Sequence, residues 1–236
     1  MMDISILIVS HGHENFLPRL FESLQNQEGN IDFEVLLLHN LPTNFENLRK
    51  VKQFYNKRPT GLAENLNRLI DETQSPVSLI LNPDTFLPKN CLQHCLASLK
   101  NNHILSCHSI HPNGHRLVNL RQLPTLKNLF YEYFFNSSVR NLKQLKLENS
   151  TLHNCWFQGS FIMTYSSILR TIRFDPEYEL YFEDVDFFQR AQKQNFALQY
   201  LTDMSYFHHH QKASRQLFSE EFYLHCRSAL RYFFGL

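Results

Sequence analysis

Short apolar runs alternate with amphipathic stretches along the first hundred residues. Ile4 to Val9 is apolar apart from Ser5, and Phe16, Leu17, Leu20, Phe21 and Leu24 follow at a spacing that forms one helical stripe. Phe33 to Leu38 is a second strand-like run, ending at His39-Asn40. After the Pro59-Thr60-Gly61 turn, Leu62, Leu66, Leu69 and Ile70 mark another helix. Val77 to Leu81 is the next strand, and Leu92, Leu96 and Leu99 give a further helical stripe. This β-α-β-α order predicts an α/β domain whose sheet is covered by helices on both faces.

Beyond residue 100 the pattern is less regular. Ile104 to Ile110 reads as a strand before the Pro112-Asn113-Gly114 turn, and residues 126–150 read as helix, with no Gly or Pro. Cys155 to Tyr165 reads as one strand, a helix begins near Glu183 after Asp175-Pro176, Leu198 to Phe207 is a last strand, and 216–234 a terminal helix. With no repeat or linker, the expectation is a single domain over 1–236. A regular half over 1–100 is followed by a less regular half over 101–215 and a terminal helix over 216–236.

The fourth run changes the picture from fold to chemistry. It ends in Asn82-Pro83-Asp84, and Pro83 cannot donate to a sheet ladder, so Asp84 is left at the strand's carboxyl end. Ligands of open α/β sheets sit at that edge. A carboxylate there, beside an amide, suits a hard divalent cation and a diphosphate bridged to it. Asn-Pro-Asp is also an ordinary turn, so the motif needs a second observation.

Composition narrows the partners. The net charge of +1 gives no reason to expect nucleic acid, and 43% hydrophobic residues suffice for a sizeable core in 236 residues. Cys91, Cys95, Cys107, Cys155 and Cys226 are odd in number and irregularly spaced, and no secretory signal precedes them, so a reducing, cytoplasmic setting is expected. Cys91-Leu-Gln-His-Cys95 has zinc-like residues but no second pair, which favours buried structural thiols. No apolar stretch has the length of a membrane crossing.

The second informative stretch runs from Phe174 to Asp186, where six acids are interleaved with Phe174, Tyr178, Tyr181 and Phe182. Glu183 and Asp184 fall at a helix start, where the macrodipole stabilises ionised acids. A carboxylate kept ionised among aromatic rings is a competent general base, although helix starts favour acids in any case.

Taken in order, these pieces resemble glycosyltransferase family 2, in particular its bacterial rhamnosyltransferase-like members. Ile6-Leu7-Ile8-Val9-Ser10 is similar to the family's first strand, and Asn56 to Asn67 resembles its Asn-rich nucleotide loop and helix. Asn82-Pro83-Asp84 stands where the family has its DxD-type motif. Arg121-Gln-Leu-Pro124-Thr125 and Trp156-Phe-Gln-Gly159-Ser160 look like two further elements, and Tyr181 to Asp186 is similar to its Glu-Asp base motif.

The resemblance implies a GT-A-type fold with a mixed, mostly parallel sheet. It also implies an inverting transfer of a sugar, rhamnose at first guess, from a nucleotide-diphosphate donor to a glycan or lipid-linked glycan in O-antigen, lipopolysaccharide or capsule synthesis. Asp184 would be the base, with Asp186 two residues along as the other candidate. Asp84 would hold Mn or Mg with a downstream imidazole, His208 or His209, while His210 also competes. Ser10, His11, Asn40, Gly61, Asn65, Asn67 and Asn82 would join Asp84 in binding the donor, and Trp156, Gly159 and Glu183 would line the acceptor side. His39-Asn40 departs from the usual Asp after the second strand, and His11-Gly12 from an aromatic and an Asn.

The terminal aromatic and basic residues, Phe218, Phe222, Tyr223, Tyr232, Phe233 and Phe234 with Arg215, Arg227 and Arg231, suit either packing on the domain or peripheral contact with the cytoplasmic face of the inner membrane. Two other functions stay open from sequence: a metal-dependent sugar-nucleotide hydrolase using Asp84, and a sugar-nucleotide-binding scaffold without turnover.

Overall fold

The computed structural model describes residues 2–45, 51–117, 119–127, 152–209 and 220–235. The expected helix over 126–150 lies outside these beyond residue 127, as do His210, Arg215 and Phe218. Among the described residues, β1 (Ile4–Ser10), β2 (Phe33–His39), β3 (Val51–Tyr55) and β4 (Val77–Leu81) form the parallel part of a nine-stranded sheet, in the order β3-β2-β1-β4.

β1 is buried along nearly its whole length, as a central parallel strand requires. Its alternate residues serve opposite layers. Ile4, Ile6 and Ile8 face Leu17, Leu20 and Leu24 of α1 (Leu17–Gln25) and Cys91, Leu92 and Cys95 of α3 (Cys91–Ser98). Leu7 faces Ala63, Leu66 and Leu69 of α2 (Leu62–Glu72).

Beyond β4 the sheet becomes mixed. The sequence reading of one strand over Cys155–Tyr165 is corrected: it is two strands in different sheets. β9 (Cys155–Phe157) pairs with β8 (Leu120–Gln122) in a small two-stranded sheet. β10 (Phe161–Tyr165) instead enters the main sheet antiparallel to both β4 and β6 (His103–Ile110). The chain turns at Gln158–Ser160, where the Ser160 N–H donates to the Gln158 carbonyl. Because β10 lies between β4 and β6, the two halves read from sequence share one sheet.

β11 (Ala197–His208) runs parallel to β6, with an irregularity between Leu201 and Ser205, and its last residues pair antiparallel with the short β5 (Thr85–Phe86). A two-residue β7 (Arg116–Leu117) flanks β6. α4 (Ser166–Ile172) and α5 (Glu183–Lys193) cover the same face as α2, placing Ile168, Leu169, Phe187 and Phe188 in that layer. α6 (Glu220–Phe234) packs Tyr232 and Phe233 against Phe182. Its Arg231 pairs with Asp175 at 3.3 Å, and its Arg227 with Glu179 at 3.3 Å. Tyr232, Phe233, Arg227 and Arg231 are therefore used on the domain itself, whereas Tyr223 and Phe234 are exposed. Among the described residues no helix is long and apolar enough to cross a membrane.

Candidate active site

The carboxyl ends of β1, β2 and β4, the start of β10 and the start of α5 converge on one edge of the sheet. Asp84 is there because β4 ends at Leu81 and a turn follows, with the Thr85 N–H and hydroxyl both donating to the Asn82 carbonyl. The β5–β11 pairing sets His208 opposite Thr85 and brings its Nε2 to 3.1 Å from Asp84 Oδ1. Burial alone would raise the Asp84 carboxyl, but the His208 hydrogen bond and charge outweigh it and hold Asp84 below the ordinary carboxylate range.

Asp84 and His208 present a hard oxygen and an imidazole nitrogen to one point. Mn and Mg take such donors alongside substrate phosphate oxygens, so the pair fits a divalent ion shared with a diphosphate. Among the described residues no group of three or more His, Cys, Asp or Glu side chains could hold a metal, so a shared ion would lean on the substrate. His209 does not join them: its backbone N–H donates to the Asp84 carbonyl, while its ring goes to Arg19 at 3.4 Å and packs on Phe16. Of these two imidazoles, the one beside Asp84 is that of His208. The Cys91-to-Cys95 segment makes no metal site either, since both thiols are in the core and His94 pairs with Asp203 at 3.1 Å.

Asp184 reaches the same edge from the other side. β4 and β10 are in register at Leu81 and Phe161, so the Asn82 N–H donates to the Ser160 carbonyl at 3.2 Å. The preceding Gly159 N–H donates to Asp184 Oδ2 at 3.1 Å, and the Val185 N–H to Oδ1 at 2.8 Å. Asn82, Gly159, Glu183 and Asp184 thus line one cavity. Desolvation pushes the Asp184 carboxyl up to about 6, against its backbone hydrogen bonds and the charge of Arg121. Asp186, the other candidate, is instead tied by its carboxylate to Arg190 at 2.7 Å. Tyr181 and Phe182, with φ of 67° and 63°, lead into α5 in the left-handed region that non-glycine residues avoid. That turn presents Glu183 and Asp184 at the helix's positive end.

The other residues expected from sequence cluster here but differ in what they touch. Asn40 accepts from the Thr60 N–H and Asn56 Nδ2, and its own amide is hydrogen-bonded to the Thr60 carbonyl and His11 Nδ1. Asn65 accepts from Asn56 Nδ2 and the Thr60 hydroxyl. Both asparagines therefore shape the 56–61 loop. Ser10 Oγ donates to Glu14 and accepts from the His13 N–H, fixing the turn after β1. Asn67, expected in donor binding, bonds both the N–H and the carbonyl of Phe174 through its amide, which ties α2 to the segment leading to Glu183 and Asp184.

Gly61 lies against the Glu179 backbone, and the Leu62 N–H donates to the Glu179 carbonyl at 3.0 Å. His39 is fully buried between Glu14 at 3.1 Å and Gln53 at 3.0 Å, and its ring stacks on Tyr55. Trp156, expected on the acceptor side, donates through Nε1 to the Gln122 carbonyl. Arg121, opposite Trp156 in the small sheet, is a residue that sequence reasoning did not connect with Asp184. Its charge bears on Asp184, and only the β8–β9 pairing brings it there.

Comparison with known proteins follows the same lines. The model of "Glycosyl transferase family 2" matches residues 5–167. Rhamnosyltransferase WbbL of Escherichia coli (strain K12) is 23% identical over 252 residues, covering 97% of this chain and 92% of that protein. S. aureus TarS 1–349 in complex with UDP-GlcNAc superposes with a TM-score of 0.62 at 16% identity, over 90% of this chain and 60% of that one. The mannosyltransferase PcManGT from Pyrobaculum calidifontis, in complex with GDP-Man and Mn2+, gives 0.61 at 12% identity, over 89% and 57%. The chain thus spans about 60% of the length of these solved structures, and their likeness bears on the fold.

Proposed function

The chain belongs to glycosyl transferase family 2 and has its GT-A fold, and on that premise we propose that it is an inverting, metal-dependent glycosyltransferase. It moves a sugar, rhamnose as the first candidate, from a nucleotide diphosphate to a hydroxyl of a growing surface glycan. That acceptor is O-antigen, lipopolysaccharide or capsule, free or lipid-linked. The reading puts the reaction in the cytoplasm, where Tyr223, Leu230 and Phe234, exposed on α6, are available for contact with the membrane carrying a lipid-linked acceptor. What carries it is a buried carboxylate–imidazole pair, Asp84 and His208, on the same sheet edge as a second buried carboxylate, Asp184, of raised pKa.

Asp84 and His208 would hold the divalent ion, which when bound neutralises the charge developing on the leaving diphosphate. The 56–61 loop, fixed by Asn40 and Asn65, and the turn after β1 with Ser10 and His11 frame the donor's place beside Asn82. Asp184 takes the proton of the acceptor hydroxyl as it attacks, and a single carboxylate opposite the leaving group gives inversion. The Gly159 and Val185 N–H groups hold that carboxylate ionised and aimed. Trp156 and Arg121 form the acceptor-side wall.

The test is a panel of UDP-, dTDP- and GDP-sugars with manganese, with and without glycan acceptors. Acceptor-dependent transfer is the expected result. Donor cleavage indifferent to acceptor would replace the reading with a hydrolase, and binding without turnover would replace it with a scaffold.

A further inference from the structure

Glu183 lies beside the base but in different surroundings. It is 7% exposed, and although backbone hydrogen bonds at Tyr181 and at its own N–H hold the carboxyl, Oε2 is buried without a partner among the described residues. A cavity of about 30 Å³ opens between Glu183, Asp184 and Asn82, walled by apolar side chains including Val9, Leu62, Leu66 and Phe174. Such a space is large enough for a water molecule, which needs roughly 10–15 Å³.

Two ionised carboxylates on adjacent residues of an apolar-walled hole repel each other and both lack solvent. One of them must carry a proton, and the hydrogen bonds say which. Each Asp184 oxygen receives an N–H group, which favours the charged form, whereas the backbone hydrogen bonds at Glu183 leave its Oε2 with none. We infer that Glu183 is an uncharged carboxylic acid that closes the inner side of the site, so the pair holds one negative charge, located on Asp184. Glu183 is then a positioning residue for the base, and in function the inference rests on the reading of Asp184 given above.

The remaining charges agree. The groups lining the cavity from β1, α2, β4 and β10 are uncharged, and among the described residues Arg121 from β8 is a cation whose charge acts on Asp184. Burial, with the charge of Asp184, pushes the Glu183 carboxyl up to about 8, above its neighbour. During transfer the acceptor's proton moves to Asp184 as the acceptor oxygen bonds the anomeric carbon. The donor's C–O bond electrons leave with the diphosphate, and Glu183 keeps its proton throughout.

The experiment compares thermal unfolding of the full chain and Glu183→Gln between about pH 4.5 and pH 9, without substrate. An acid whose pKa is raised on folding contributes stability at low pH that is lost as pH rises through its folded value. E183Q should therefore melt near the parent at about pH 4.5, draw increasingly above it as pH rises to about 8, and keep that margin at higher pH. Melting below the parent, by a margin that grows with pH, would overturn the inference, since it would mean an ionised, stabilised Glu183.

The pH profile of kcat/KM gives a second readout. The acid limb set by Asp184 should stay in place in E183Q, because a neutral group replaces a neutral group. A drop of about one unit or more would mean that an anion had been removed. If E183Q fails to fold, the infrared carbonyl band of a protonated carboxyl decides. The band should be present in the parent and in Asp184→Asn at about pH 7 and vanish above about pH 9; its absence at pH 7 would overturn the inference. Full turnover by Asp184→Asn would instead sink the base reading alone, leaving the melting comparison intact.

Discussion

Asp84 Oδ1 and His208 Nε2 stand 3.1 Å apart because a two-residue strand, Thr85–Phe86, takes the end of β11 as its partner. Each side chain is buried, and each supplies one donor to the proposed metal position. Asp84→Asn and His208→Ala should each weaken manganese-dependent nucleotide-diphosphate binding by at least about tenfold, since the first removes the anionic ligand's charge and the second a donor atom. Titration calorimetry with UDP, dTDP and GDP, with and without manganese, measures this. Equal affinity with the metal chelated would remove the pair from donor binding.

Asp184→Asn should lower kcat by about 10²–10⁴-fold, the usual worth of general-base assistance. The donor's affinity should barely move, because the variant keeps Asp84, His208 and the 56–61 loop. A change confined to KM would argue that Asp184 binds substrate rather than taking its proton.

The pH dependence has a definite sign. A base works ionised, and desolvation puts the Asp184 carboxyl at about 6, so kcat/KM should fall as pH drops through that value. An ordinary exposed aspartate would hold its activity down to about pH 4. Initial rates between about pH 5 and pH 8 at fixed manganese separate these outcomes.

How much of this could be read from the chain divides along physical lines. Asp84 and Asp184 were legible because local rules place them: Pro83 stops a strand, and acids gather at a helix start. The strands and helices with strong periodicity were legible for the same reason. The break of Cys155–Tyr165 was not, because an apolar run is the same in either sheet and only the pairing partners differ. Strand alternation through Met204 and Tyr206 only inclined toward His208; that its ring stands beside Asp84 depends on the β5–β11 register. Asn40, Asn65 and Asn67 were recognisable as polar residues near the edge. That they bind Thr60, Asn56 and Phe174 follows only from tertiary contacts.

Gly61 joins the donor loop to the segment before the base. A Cβ added there would lie 3.0 Å from the Glu179 Cα and carbonyl oxygen, and a backbone cannot swing away as a side chain can. Gly61→Ala should cost about 1–3 kcal/mol through overpacking, seen as a melting shift of roughly 2–10 °C. KM for the donor should rise with it, since the 56–61 loop must give way. An unshifted melting curve would show that the contact is looser than its geometry implies.

The last prediction concerns α6, which grips the same segment from outside. Arg231 pairs with Asp175, Arg227 with Glu179, and Ser228 Oγ donates to the Leu180 carbonyl. Phe182, which precedes the acid pair in a left-handed conformation, is packed by Tyr232 and Phe233. The exposed ion pairs contribute little stability, about 0–1 kcal/mol each, whereas Phe182 is buried and its packing fixes the entry into α5. Arg227→Ala should therefore leave melting within about 1 kcal/mol of the parent, while Phe233→Ala, which strips one side of the Phe182 pocket, should cost about 2–4 kcal/mol. If α6 braces the base, Phe233→Ala also lowers kcat at saturating donor, because Asp184 follows Phe182 by two residues. Should kcat hold while stability falls, α6 is a structural cover and the base is positioned by Gly159 and Val185 alone.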